Sequence, residues 1–223
     1  MKPKALLSWS SGKDSAWTLH VLRQRAELEV VALATTVTEA YDRVAMHAVR
    51  RELLREQARR AGLPLWEVPI PSPCSNADYE TRMRALVQRA AGSGITHMAF
   101  GDLFLEDIRR YREQNLSGTG LTPIFPLWGI PTRELARTML AGGLEAFVTC
   151  IDPRRAPKSL AGRRWNEAWL AELPADADPC GENGEFHTCV VAGPMFEGRI
   201  AASPGEVVER DGFVFADLKV DRG

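Results

Sequence analysis

The chain has 223 residues, 45% of them hydrophobic and 26% charged, with a formal net charge of −1 at neutral pH. Those proportions exclude a disordered chain and give no general attraction to nucleic acid or an anionic membrane, which argues against direct nucleic-acid binding. The length suits one generous domain or a domain with a small appendage.

The opening Met1-Lys2-Pro3-Lys4-Ala5-Leu6-Leu7 is basic at its head but loses its apolar character at Ser8, far short of a signal or spanning segment, so a cytoplasmic location is expected. Cys74, Cys150, Cys180 and Cys189 are widely spaced and form no C-x-x-C pair, which predicts free thiols and neither a zinc site nor a disulfide framework.

Ala5-Leu6-Leu7, then Ser8-Trp9-Ser10-Ser11-Gly12-Lys13-Asp14-Ser15, then a helical pattern from Ala16 predict strand, phosphate loop and helix. Unpaired amides of small residues at a helix N-terminus, together with the helix dipole, attract an anion, and Lys13 adds a full charge. The Walker loop does not fit, because it requires Gly where Leu7 stands and Ser or Thr where Asp14 stands. Ser-Ser-Gly-Lys-Asp-Ser instead resembles the Ser-Gly-Gly-Lys-Asp-Ser loop of the PP-loop ATP pyrophosphatases, which cut ATP between the α and β phosphates. Ser11 departs from that pattern, and its Cβ means the loop keeps an ordinary conformation there or carries strain. The plainer alternative is a Ser-capped surface helix with a solvated Lys.

Val30 to Thr36 is a continuous apolar, β-prone run, as expected of a strand covered on both faces. Val37 to Met46 is a polar connection. Val49, Leu53, Leu54, Ala58 and Ala61 then mark a helix stopped by Gly62, whose Arg and Glu residues predict a solvated outer surface. Leu65 to Ile70 is a short strand ended by prolines, and Asp78 caps a helix through Ala91. A strand ending Phe100-Gly101-Asp102 puts a carboxylate at the C-terminal edge of a parallel sheet, where such sheets bind ligands, although Asp also serves simple turns. A heavily charged helix from Leu105 to Leu116, a short strand and turn at Pro123 to Trp128, a helix capped by Thr132 and running to Leu140, and a strand from Ala146 to Ile151 follow.

The alternation predicts an α/β fold with a doubly wound, mostly parallel sheet over residues 1–151, and a small α+β subdomain over 152–223. In the latter, Leu160 to Leu173 has a helical look with Trp165 and Trp169 inward, and short strands are expected near Thr188 to Ala192, Arg199 to Ala202 and Phe213 to Leu218. Asp178 to Thr188 is dense in ionisable groups spaced by glycines. If a strand begins there, Glu185 and His187 share a face by period-two alternation, an acid/base pair aimed into a cleft; the alternative is a glycine-rich hairpin with both groups solvated.

Gly-Glu-x-Gly-Glu-Phe-His-Thr, with the N-terminal loop, Phe100-Gly101-Asp102, Met46-His47 and Pro126-Leu127-Trp128, resembles the diphthine–ammonia ligase family of PP-loop ATPases from Ser8 to about Phe196. The resemblance implies a PP-loop fold with a C-terminal subdomain over the nucleotide site. It also implies ATP and Mg²⁺ as cofactors, ammonia as cosubstrate and an acceptor carboxylate, which in the family is diphthine on elongation factor 2. By the same resemblance Ser10, Ser11, Gly12, Lys13, Asp14, Ser15 and Gly101 bind the nucleotide. Asp102 lines its edge, and Glu182, Glu185, His187 and Thr188 serve the acceptor side, with Glu185 and His187 as acid and base. The metal ligands stay unassigned, with Asp14 one option. Another acceptor, in corrinoid salvage or tRNA, and a non-catalytic nucleotide-binding module stay open as alternatives. Lys13 is expected to be exposed.

Overall fold

The computed structural model describes residues 2–38, 43–44 and 49–221; the Met46-His47 pair lies outside them. Elements run β1 (Lys4–Ser8), α1 (Lys13–Arg25), β2 (Glu29–Thr38), β3 (Arg43–Val44), α2 (Arg51–Arg60), β4 (Leu65–Ile70), α3 (Asn76–Gly92), β5 (His97–Ala99), α4 (Glu106–Leu116), β6 (Thr122–Ile124) and α5 (Thr132–Ala141). They continue with β7 (Glu145–Ile151), β8 (Arg164–Trp165), α6 (Glu167–Leu170), β9 (Phe186–Ala192), β10 (Ala202–Arg210) and β11 (Phe213–Val220).

Parallel pairing gives the strand order β4-β2-β1-β5-β6. The short β3 pairs antiparallel with Val37 and Thr38 of β2. Consecutive strand residues enter opposite cores: Leu6, Ala32 and Met98 pack in one cluster, Leu7, Leu33 and Ala99 in the other. That is what a sheet with helices on both faces requires, and it explains the unbroken apolar run of β2. The winding reverses direction between β1 and β5, so their C-terminal ends frame the crevice where open α/β sheets take ligands.

The strand at Glu145–Ile151 does not join this sheet. It pairs antiparallel with β9 along its length, and with β8 and β11; β10 completes the second sheet on β11. A strand buried on both faces has the same apolar pattern in either kind of sheet. The two sheets share a core that includes Leu7, Trp17, Phe147, Trp169 and Val190.

Local details also differ from expectation. Ser75 caps α3, its hydroxyl accepting from the Asp78 amide at 3.1 Å, so Asp78 sits one turn inside. Pro131, not Thr132, holds the N-cap position of α5. The Leu160–Leu173 stretch is a short 3-10 turn, β8 and α6, not one helix, although Trp165 and Trp169 are core residues as expected. The strand expected near Arg199 to Ala202 instead runs from Ala202 to Arg210. Among the described residues no helix is long and apolar enough to cross a membrane.

Candidate active site

From Ser8 the chain turns through the loop into α1, whose first turn has no side-chain cap of its own. Ser11 adopts φ 70°, the strained alternative, in the left-handed region that costs a residue with a Cβ about 1–2 kcal/mol. Its side chain is buried and its hydroxyl has no hydrogen-bond partner. The loop is held internally by Ser15, which donates to the Gly12 carbonyl at 3.0 Å and sits 3.1 Å from the Ser10 hydroxyl. Gly101 lies against the start of α1 so closely that a Cβ would be 2.9 Å from the Asp14 carbonyl carbon, so only glycine fits there.

The far end of the chain completes this loop. Thr188 Oγ1 accepts from the Lys13 amide at 3.1 Å, the cap α1 otherwise lacks. The Val190 amide donates to the Ser11 carbonyl at 3.0 Å. Lys13 itself is 2% exposed, contrary to expectation. Its ammonium donates to Asp14 at 2.8 Å and to the Cys180 carbonyl, with the Phe186 ring centroid 5.3 Å away. Burial works against its charge, but Asp14, with Cys180 and Asp178 behind it, holds its pKa above the ordinary lysine value. Burial likewise raises the Asp14 carboxyl, against the pull of Lys13.

The residues of the 178–188 loop divide into two sets. Glu185 is 2% exposed and faces the loop, accepting from the Asp178 amide at 3.0 Å and the Asn183 side chain at 3.1 Å. It does not line the cavity, because it precedes β9 and strand alternation does not govern its side chain. Asp178 in turn accepts from the Glu182 amide at 2.8 Å. Glu182, His187 and Thr188 do face the cavity. Glu182 reaches across to the first sheet, accepting from the Leu103 amide at 2.7 Å.

The cavity encloses about 250 Å³ between the two loops. Ser10, Gly12, Lys13, Asp14 and Ser15 form one wall, Gly101 and Asp102 the floor, and Gly181, Glu182 and His187 the opposite wall. Of the expected site residues, Ser11 and Glu185 alone stay outside it. Burial pushes the Glu182 carboxyl up to about 7, with Asp14 and Asp102 adding to the shift and the Leu103 amide opposing it. Burial, with the Lys13 charge nearby, lowers the His187 imidazole to about 4, so it is neutral at pH 7. Asp102 is raised by burial against the influence of Arg112. One wall therefore suits an anion, and the other offers a carboxyl that gains and loses a proton near neutrality.

Three contributors had been given no site role from the sequence. Gln57, 0% exposed, receives the Trp9 indole N–H at 2.9 Å and donates to the Ser11 carbonyl at 3.0 Å and the Val190 carbonyl at 2.8 Å, tying α2 to the first loop and to β9. Its position among Leu53, Leu54 and Ala58 on the apolar stripe was the available signal. Arg112 lines the cavity beside Asp102. The Cys180 carbonyl, being backbone, leaves no side-chain trace in the sequence.

Residues 131–219 match the family described as diphthamide synthase C-terminal domain. Nearly the whole chain is similar to proteins named diphthine–ammonia ligase: that of Schizosaccharomyces pombe at 28% identity over 95% of this chain; that of Rattus norvegicus at 26% over 98%; and that of Homo sapiens at 24% over 98%. The chain spans 38% of the length of the S. pombe protein and 89% of each of the other two. The likeness to diphthine–ammonia ligases thus runs over nearly the whole chain, with residues 131–219 matching the diphthamide synthase C-terminal domain.

Proposed function

We propose that this chain is an ATP-dependent, AMP-forming amide ligase that adenylates a carboxylate and transfers ammonia to it, as the names of its relatives suggest. The observation that carries this reading is the shared cavity, in which an anion-binding loop faces a carboxyl of near-neutral pKa across a few side chains. Acting in the cytoplasm, it would keep its four thiols free, as they are here.

A second cavity of about 530 Å³ lies over the ends of β2 and β4 and shares Ser8, Ser10 and Arg112 with the first. The adenosine would occupy it, and the pyrophosphate would sit on the amides of Ser10 to Ser15 with Lys13 released from the Cys180 carbonyl to meet it. The α-phosphate then falls at the border of the two cavities. There an acceptor carboxylate oxygen attacks phosphorus, the bond to the β-phosphate breaks, and pyrophosphate leaves with the electron pair. Ammonia next attacks the acyl carbon, AMP departs, and the proton shed by nitrogen passes to Glu182. Neutral His187 would orient the amine or the carbonyl. Glu185 would hold the loop that carries both.

Mg²⁺ fits this arrangement. Asp14 Oδ1 is buried without a hydrogen-bond partner, and Asp102 Oδ2, 3.5 Å from Arg112 Nε, completes no hydrogen bond, so both oxygens keep capacity for a metal cation. Among the described residues there is no all-protein cage of three or more such ligands, and Mg²⁺ characteristically binds through one or two carboxylates plus nucleotide phosphates. Asp14 and Asp102 would hold it, and when bound it supplies charge neutralisation at the departing pyrophosphate. The acceptor implied by the relatives' name is diphthine, and the carrier we propose for it is elongation factor 2.

Incubation with ATP, Mg²⁺, ammonium and diphthine-bearing elongation factor 2 should release AMP and pyrophosphate and amidate the factor. ADP and phosphate as products would reject the reaction class; AMP formation without that factor being amidated would move the acceptor elsewhere.

A further inference from the structure

A third cavity, of about 360 Å³, opens between α3 and α4. Its lining combines apolar Met83, Val87 and Leu116 with the hydrogen-bonding Asn115, and also carries the charged Glu80 and Arg84. The nucleotide reading above leaves it vacant. Among the residues lining the three cavities, Arg112 is the one common to all.

Arg112 is poised rather than spent. Its Nε lies 3.5 Å from Asp102 Oδ2, and neither atom completes a hydrogen bond. The guanidinium packs on the face of Phe100, 4.9 Å from the ring centroid, which fixes its plane. A planar fork held in this way matches a carboxylate with two parallel hydrogen bonds. The position also meets the demand of the chemistry, because the acceptor carboxylate must arrive where the α-phosphate lies, at the border marked by Ser8, Ser10 and Arg112.

We infer that the α3–α4 cavity is the acceptor pocket and that Arg112 grips the acceptor carboxylate at its mouth, so that the pocket takes a carboxylic acid on an apolar stem. The inference rests on the ligase reading for its meaning, but its binding test needs neither nucleotide nor turnover. The probes are 4-phenylbutyrate and 4-phenylbutanol, which share a stem and differ in the charged group. By ligand-observed NMR titration the acid should bind at least tenfold more tightly than the alcohol. Arg112→Gln should abolish that preference, and Asn115→Trp, which fills the pocket, should weaken both probes while its ATP affinity stays within twofold of wild type. Equal binding of acid and alcohol, absence of binding by either, or a preference surviving Arg112→Gln would overturn the assignment. So would a tenfold loss of ATP affinity in Arg112→Gln, which would place this side chain on the α-phosphate. Failure to form AMP in the wild-type protein would instead remove the ligase reading and leave the pocket result standing.

Discussion

The two loops that enclose the central cavity use polar residues in different ways. In the Ser8–Ser15 loop the side chains shape the backbone: Ser15 braces Gly12, and Asp14 holds Lys13. In the 178–188 loop the side chains are the chemical groups, but half of them are consumed in shaping the loop, with Asp178, Asn183 and Glu185 bonded to one another or to its amides. Density of ionisable residues therefore does not measure catalytic content. Which carboxylate points into the cavity is decided by hydrogen-bond geometry, and here Glu182 has that place.

The largest expected effect separates the two carboxylates. Glu182→Gln should lower kcat for amide formation by roughly two to four orders of magnitude, the usual range for a proton-transfer residue. Its carboxyl, pushed up to about 7, must be deprotonated to accept the proton, so wild-type kcat should rise with pH through that value and lose this limb in the variant. Glu185→Ala, which removes the acceptor of the Asp178 and Asn183 bonds, should instead lower the unfolding temperature and retain the pH profile. An equal loss of kcat in Glu185→Ala, with stability unchanged, would erase the distinction between the two sets of residues.

Lys13→Met tests how far the first loop depends on the second. Removing one partner of a buried pair costs about 3–5 kcal/mol when the other is left stranded, and Asp14 keeps a quarter of its side chain exposed, so about 3 kcal/mol is expected by chemical denaturation, together with weakened ATP binding. An unchanged denaturation midpoint would return Lys13 to the status of a purely ligand-binding group. Thr188→Val removes the cap on the Lys13 amide and should cost about 1 kcal/mol; no change would mean that α1 does not rely on the C-terminal strand. Ser11→Gly gives the smallest shift. Relief of about 1–2 kcal/mol of left-handed strain, less about 0.5–1 kcal/mol for glycine's greater freedom when unfolded, predicts a gain of roughly 0.75 kcal/mol. A loss would show that the buried Ser11 side chain contributes packing that outweighs its strain.

Much of this arrangement was legible in the sequence, because strand, small-residue loop and helix follow from local patterning, and the run of apolar strands announces a sheet covered on both faces. The sheet membership of Glu145–Ile151 was not, since a pattern of burial does not encode the direction of the neighbouring strand. The extent of β10 was hidden by Pro204 and Gly205 and by its mostly exposed polar residues. Gln57 was masked by the arginines and glutamates around it on α2. The burial of Lys13 depends on a backbone carbonyl some 167 residues away, a contact no local signal carries. The orientation of Glu185 was misjudged because alternation was extended past the first residue of its strand.

The central claim is that both loops act on one nucleotide. Its most direct test is a crystal structure with Mg²⁺ and the α,β-methylene analogue of ATP. The account predicts the β- and γ-phosphates on the amides of Ser10 to Ser15 beside Lys13, with the α-phosphate turned toward Glu182 and His187. A nucleotide seated elsewhere, or one whose α-phosphate faces solvent away from the Cys180–Thr188 segment, would contradict it.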